Sequence, residues 1–167
     1  MKLGILREEK IPMDKRTPFS PSQCKRIIND YPNIEIYVQS SKFRCYNDKE
    51  YISNNISVSE DISFCDILFG IKEVPIDRLI SNKTYFFFSH TIKKQDYNRE
   101  LLKKMISLNI RMIDYEVLKF DNGKRILGFG RYAGIIGAYN GLLTYGLKTN
   151  LYNLKPAYLC FDRKEMD

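Results

Sequence analysis

Histidine is almost absent from this chain: one residue, His90, stands in 167. A single histidine excludes an HExxH metal helix. The four cysteines, Cys24, Cys45, Cys65 and Cys160, show no CxxC spacing. They read as buried free thiols in a reducing cytoplasm, not as a zinc site or a disulfide framework. The sequons at Asn55 and Asn82 then carry no meaning. No apolar run approaches the ~20 residues that cross a bilayer, and the opening MKLGILREEK turns acidic too early for a signal peptide. GxxxxGK[ST] and GxSxG are missing as well. These absences describe a cytoplasmic, soluble chain with no metal and no membrane partner.

What is present is an ordinary globular composition, 44% hydrophobic and 28% charged, in a length that holds one domain with a real core. The net charge is +7, with 12 tyrosines and 10 phenylalanines, a combination that basic, aromatic nucleic-acid surfaces share. Here, however, the positive residues are dispersed among acids, and the aromatics sit inside apolar runs where core packing explains them. No nucleic-acid partner is expected. The same positive field favours small anionic ligands.

The stretch from Cys65 to Lys94 organises the rest. Two short apolar runs, Ile67 to Ile71 and Tyr85 to Phe88, end abruptly in Lys72-Glu73 and Ser89-His90. Such runs bounded by turn residues mark strands buried on both faces of a parallel sheet, and the segment between them is long enough for a crossover. A first strand, Lys2 to Leu6, leads into the proline-rich KIPMDKRTPFSP loop. Ser20 as N-cap and Pro21 at the first helical position then open a helix to about Asp30. A second strand covers Ile34 to Val38, a short helix Asp48 to Asn54, and an extended piece Ile56 to Val58. Tyr97 to Ser107 reads as a helix with Leu101, Leu102, Met105 and Ile106 on one face, and Arg111 to Ile113 as a further strand. Asp121 to Lys124 is a turn, predicting a hairpin of Val117 to Lys119 with Arg125 to Phe129. The small residues from Gly130 to Gly141 predict a tightly packed helix over Arg131 to Tyr145, against its own domain or against another copy, so a homo-oligomer is left open. Pro156 interrupts any helix in the tail. The fold class is α/β: three layers, doubly wound, with a mostly parallel, Rossmann- or flavodoxin-like sheet and a hairpin near the C-terminal part.

In open α/β sheets, ligands sit outside the carboxyl ends of the strands. That rim collects Arg16, Lys72 and His90, which together can hold an anionic substrate and move a proton. Each has a plainer alternative: a loop arginine, a solvated lysine, a strand-end histidine bonded to a carbonyl. Glu73 is placed to pair with Lys72. Glu116, after the next strand, is either an electrostatic partner or an exposed side chain, and Arg125 alone reads as surface. GFGRYAG imitates the dinucleotide fingerprint but follows a hairpin instead of the first strand of a βαβ unit. Helix packing accounts for its glycines.

LREEKIPMDKRTPFSP at 6–21, ILFGIKEVP at 67–75, FFFSHTIKKQ at 86–95, IDYE at 113–116 and GKRILGFGRYAGIIGA at 123–138 together resemble a known family. It is the amino-terminal, substrate-binding domain of the alanine dehydrogenase and transhydrogenase superfamily, nearest its saccharopine dehydrogenase (lysine-forming) and lysine–ketoglutarate reductase branch. The resemblance implies a substrate-binding domain over 1–148 and a tail, 149–167, leading toward a nucleotide-binding domain that these residues do not include. It implies a small amino- or keto-acid substrate and NAD or NADP held mainly by that other domain. Arg16 would bind a substrate carboxylate, and Lys72 and His90 would be the acid–base pair. Lys93 and Arg125 would line the site, with Glu73 and Glu116 in support. The chain alone would be half of an active site. The alternatives are an alanine dehydrogenase amino-terminal domain and a stand-alone small-ligand domain without redox chemistry. Titration with a single-stranded oligonucleotide at low salt is expected to show no binding; steeply salt-dependent binding would instead define a nucleic-acid module.

Overall fold

The computed structural model describes residues 1–12, 14–160 and 162–166. Where the expectations for the first loop and the tail run over Met13, Phe161 and Asp167, they lie outside the described residues. Two compact units are formed, Met1–Ile126 and Leu127–Asp167.

The first unit is a parallel sheet of β1 (Lys2–Ile5), β2 (Glu35–Gln39), β3 (Ser57–Ser59), β4 (Ile67–Phe69), β5 (Thr84–Phe87) and β6 (Arg111–Asp114). Their order is β3-β2-β1-β4-β5-β6, so the winding reverses between β1 and β4, as in dinucleotide-binding sheets. Register is level across the sheet: Val38, Ile5, Phe69, Phe86 and Ile113 form one row of partners. The residues that follow each strand therefore emerge along a single edge.

Two apolar cores, one on each face, make the three layers. Period-2 alternation divides the strands: Leu3, Ile5, Ile36 and Val38 meet α1 (Pro21–Asp30) and α2 (Asp48–Ile52) through Cys24, Ile27, Ile28 and Tyr51. Leu68, Tyr85 and Phe87 meet α3 (Arg99–Ser107) through Leu101 and Met105. The start of α1 is a capping box: Ser20 Oγ accepts the Gln23 N–H at 3.3 Å, and Gln23 Oε1 accepts the Ser20 N–H at 2.8 Å. On α3 the expected apolar face is only half buried, because Leu102 is 43% and Ile106 71% exposed; the sheet is reached by one stripe, Leu101 and Met105. Of the cysteines, Cys24 and Cys65 are buried, and Cys45 is exposed. Burial pushes the Cys24 thiol up to about 12 and that of Cys65 to about 11. The predicted hairpin shrinks to one bridge, Lys119 with Arg125, around a turn with Gly123 at φ 78°.

The second unit is α4 (Gly130–Thr149) and the tail that folds back on it. Tyr139 Oη donates to Lys155 O at 2.6 Å and Tyr152 Oη to Leu142 O at 3.0 Å. Among the described residues nothing packs closely along the first four glycines of α4: a Cβ added at Gly130, Gly134, Gly137 or Gly141 meets no atom within 4 Å. Of the α4 glycines, Gly146 is the one closely approached among the described residues, by Tyr152. Among the described residues, no helix is long and apolar enough to cross a membrane.

Two substitutions should act with opposite sign. Phe87→Ala, in the sealed face of the sheet, is expected to lower the unfolding free energy by about 3–5 kcal/mol. Gly137→Ala, in open space, should instead stabilise its helix by roughly 0.5–1 kcal/mol. Urea titration followed by circular dichroism reads both.

Candidate active site

The edge after β1, β4, β5 and β6 carries most of the ionisable residues singled out in the sequence. At the reversal of winding, strands β1 and β4 diverge, and the N–H groups of Ile71 and Lys72 need partners outside the ladder. Glu8 supplies both, accepting Ile71 N–H at 2.7 Å and Lys72 N–H at 2.8 Å. Burial pushes the Glu8 carboxyl above its ordinary range, and the two N–H groups oppose that rise. The sequence reading passed over Glu8. The acidic pair after β1 was its only signal.

Glu73 does not pair with Lys72, as its position in the sequence implied. Its carboxylate turns instead to Lys10, with Nζ–Oε2 at 2.6 Å, and to His90, with Nδ1–Oε1 at 2.6 Å. Its side chain is only 9% exposed. Burial resists its ionisation, but the bonds from Lys10 and His90 outweigh burial and hold the carboxyl below its ordinary value of 4.5. An ionised carboxylate only accepts hydrogen bonds, so the His90 Nδ1 must be the donor. The neutral ring then carries its lone pair on Nε2. The Glu73–His90 pair thereby fixes a tautomer suited to taking up a proton. Lys10 was not foreseen; nothing local distinguishes it from its neighbours.

Arg16 is also engaged. Its guanidinium grips Asp14 through Nε at 2.9 Å and through Nη2. That fork holds the Asp14 carboxyl below its usual range against the opposing effect of burial, and Lys72 adds a weaker pull. Lys93 and Arg125 converge on Glu116, with Oε1 at 3.1 Å from Lys93 Nζ and 3.4 Å from Arg125 Nη2. Glu116 is 7% exposed, and its Oε2 has no hydrogen-bond partner among the described residues. It is a buried electrostatic partner, not a surface carboxylate. Lys72 differs from all of these. Among the described residues its Nζ has no ion-pair or hydrogen-bond partner.

Lys72 also separates two depressions. One, about 390 Å³, is open and lined by Lys10, Pro12, Asp14, Lys15 and Lys72. The other, about 160 Å³, lies at the reversal point, where Glu8, Gly70, Lys72 and Glu73 are among its lining residues. Three lysines around one aspartate make the larger depression attractive to an anion. No group of histidine, cysteine and acidic residues able to hold a metal occurs among the described residues. The loop after β1, where a pyrophosphate cradle would need glycines, offers Glu8, Glu9 and prolines instead. These residues do not fit a dinucleotide.

The class so defined is a doubly wound α/β domain with a cluster of hydrogen-bonded acidic and basic side chains at its switch-point edge. Residues 4–136 match the sequence profile of the family described as alanine dehydrogenase/PNT, N-terminal domain, and the chain belongs to that family. It is 36% identical, over 94% of its length, to alpha-aminoadipic semialdehyde synthase of Arabidopsis thaliana, of which it covers 16%. It is 31% identical, over 86% of its length, to the NAD(+), L-lysine-forming saccharopine dehydrogenase of Candida albicans, covering 38% of it. An L-alanine dehydrogenase structure shares the fold, with a TM-score of 0.61 at 16% identity over 74% of this chain and 35% of that one. The chain thus spans well under half of each of these proteins.

The electrostatics of Glu73 are open to measurement. Its folded-state pKa lies below the unfolded value, so it contributes stability above about pH 4.5 that is lost as pH falls through the depressed value. Unfolding free energy should therefore fall below pH 4.5, and Glu73→Gln should flatten that fall. Parallel acid profiles for the two proteins would show that Glu73 is not held ionised by its partners.

Proposed function

We propose that this chain is the substrate-binding half of an NAD(P)-dependent amino-acid dehydrogenase of the saccharopine dehydrogenase and lysine–ketoglutarate reductase type. Such an enzyme joins an amine to a 2-oxo acid through an imine, or runs the reverse reaction. The observation that carries the reading is Lys72, whose Nζ has no ion-pair or hydrogen-bond partner among the described residues, next in sequence to Glu73 of the Lys10–Glu73–His90 cluster. Sequence likeness to the two lysine-related enzymes supports it.

On this reading Lys72 Nζ and His90 Nε2 share the proton transfers at the substrate nitrogen and at the carbonyl oxygen. Their environments differ: His90 leans on a carboxylate, and Lys72 faces an open, cation-lined depression. Pairs of groups held in unlike surroundings are how acid and base roles are divided at one pH. Lys10, Lys15 and Lys72 draw in a carboxylate-bearing substrate. Arg16 takes a substrate carboxylate by exchanging Asp14 for it, since both are bidentate partners of a guanidinium. Glu116 balances Lys93 and Arg125 and keeps them at the rim. The hydride carrier, NAD or NADP, is assigned to polypeptide outside these 167 residues, because the loop after β1 does not fit a pyrophosphate. The chain alone should therefore turn nothing over. A reducing, cytoplasmic setting is part of the proposal, supported by the free, buried thiols of Cys24 and Cys65.

Isothermal titration of the 167-residue chain with 2-oxoglutarate, saccharopine and pyruvate separates the options. 2-Oxoglutarate and saccharopine, which carry two and three carboxylates, are expected to bind more tightly than pyruvate. Lys72→Met should weaken 2-oxoglutarate by about tenfold or more, the scale of one lost charge-assisted hydrogen bond. Pyruvate binding best would favour an alanine-type substrate. Heat from none of the three would overturn the proposal.

A further inference from the structure

We infer that Asp114 is a positioning residue for His90, acting through the buried Ser89 hydroxyl. The inference rests on the proposed function for what His90 does, but its geometry stands independently. Ser89 is fully buried and Asp114 is 8% exposed. Asp114 ends β6 and Ser89 lies two residues beyond the end of the neighbouring β5, where Phe87 is the register partner of Asp114. Ser89 Oγ lies 2.5 Å from Asp114 Oδ2. A carboxylate accepts only, so the single hydroxyl proton of Ser89 is committed to Asp114. Ser89 Oγ must then accept from Thr91: the backbone N–H at 3.1 Å and the side-chain hydroxyl at 2.8 Å.

Those bonds tie residues 89 and 91 together across His90, whose backbone sits at φ 56°, ψ 8°. That left-handed conformation is rare for a residue with a side chain and persists only where its surroundings enforce it. A right-handed φ at this position would redirect the Cα–Cβ bond and carry the ring away from Glu73. The second Asp114 oxygen, Oδ1, accepts the Glu116 N–H at 2.8 Å. Lys93 N–H in turn donates to His90 O at 3.1 Å, and Lys93 Nζ reaches Glu116. A closed circuit results, running Asp114, Ser89, His90, Lys93, Glu116 and back. One buried carboxylate, with no cationic partner among the described residues, orders both arms of the edge. A role in stability alone would be met at lower desolvation cost by an apolar pair.

His90 is the sole imidazole, so ring proton and nitrogen spectra of the intact chain report on it alone. Ser89→Ala should speed exchange of the His90 Nδ1 proton with water by about tenfold, the scale of one lost hydrogen bond. It should leave the Glu116 amide resonance in place. Ser89→Thr, which keeps the hydroxyl, should restore exchange to within about twofold. Asp114→Asn replaces one acceptor oxygen with an NH2 donor, so one of the two bonds it now accepts must reverse or break, and it should move the Glu116 amide, the ring signals, or both. The affinity for 2-oxoglutarate should fall in step with ring exchange. Ser89→Ala with wild-type ring exchange and an otherwise native amide spectrum would overturn the inference. Should Asp114→Asn lose its native spectrum, Thr91→Val provides the second measurement: faster ring exchange supports the circuit, and unchanged exchange opposes it. If the wild-type chain fails to bind 2-oxoglutarate, the proposed function falls, and the ring data still decide the role of Asp114.

Discussion

The reversal of winding between β1 and β4 is the constraint around which the rest of the chain is arranged. Crossovers depart to opposite faces there, and the backbone beyond β4 stays bonded toward β5 through Gly70 and Ile71 but turns from β1 to Glu8 for its next N–H acceptors. Two consecutive N–H groups would be stranded, and one carboxylate, Glu8, answers both. Such a double acceptor works because successive amides in a tight turn point the same way. The residues so held are the ones leading directly into Lys72 and Glu73. Satisfying a local backbone requirement and aiming the candidate site are therefore a single event.

Charge is distributed along this edge by a consistent physical rule. The carboxylates of Glu73, Asp14 and Glu116 lie low, each anchored by hydrogen bonds, whereas Lys10, Arg16, Lys93 and Arg125 stand half exposed around them. Long cationic side chains can keep their heads in water while their stems cover apolar surface. Short carboxylates cannot, and they are buried only where donors compensate. The outcome is a rim on which these four cations are answered, whereas Lys72 and Lys15 have no ion-pair partner among the described residues.

The strand order is that of dinucleotide-binding sheets, yet the loop that would cradle a pyrophosphate has no glycine and places Glu8, Glu9 and prolines there. Shared topology does not carry shared chemistry, because the site lies in loops that the sheet only positions. The second unit makes a similar point. Its glycines imitate a phosphate motif in sequence and a packing stripe in pattern. In the structure most of them face open space.

The sequence by itself determined the parallel sheet, the start of α1 and the edge on which His90 and Lys72 emerge. Those are local matters: apolar runs of strand length, a serine before a proline, and charged residues directly after each run. It also singled out, by residue type, most of the side chains that gather at the candidate site. The partnerships were decided only in three dimensions. Glu73 chose Lys10 and His90 over its neighbour Lys72, Asp14 took Arg16, and Asp114 reached Ser89 across two strands. A carboxylate bonds whichever donor the backbone brings within about 3 Å, and that distance depends on register and on how tightly each loop turns. Neither quantity is written in the spacing of residues along the chain.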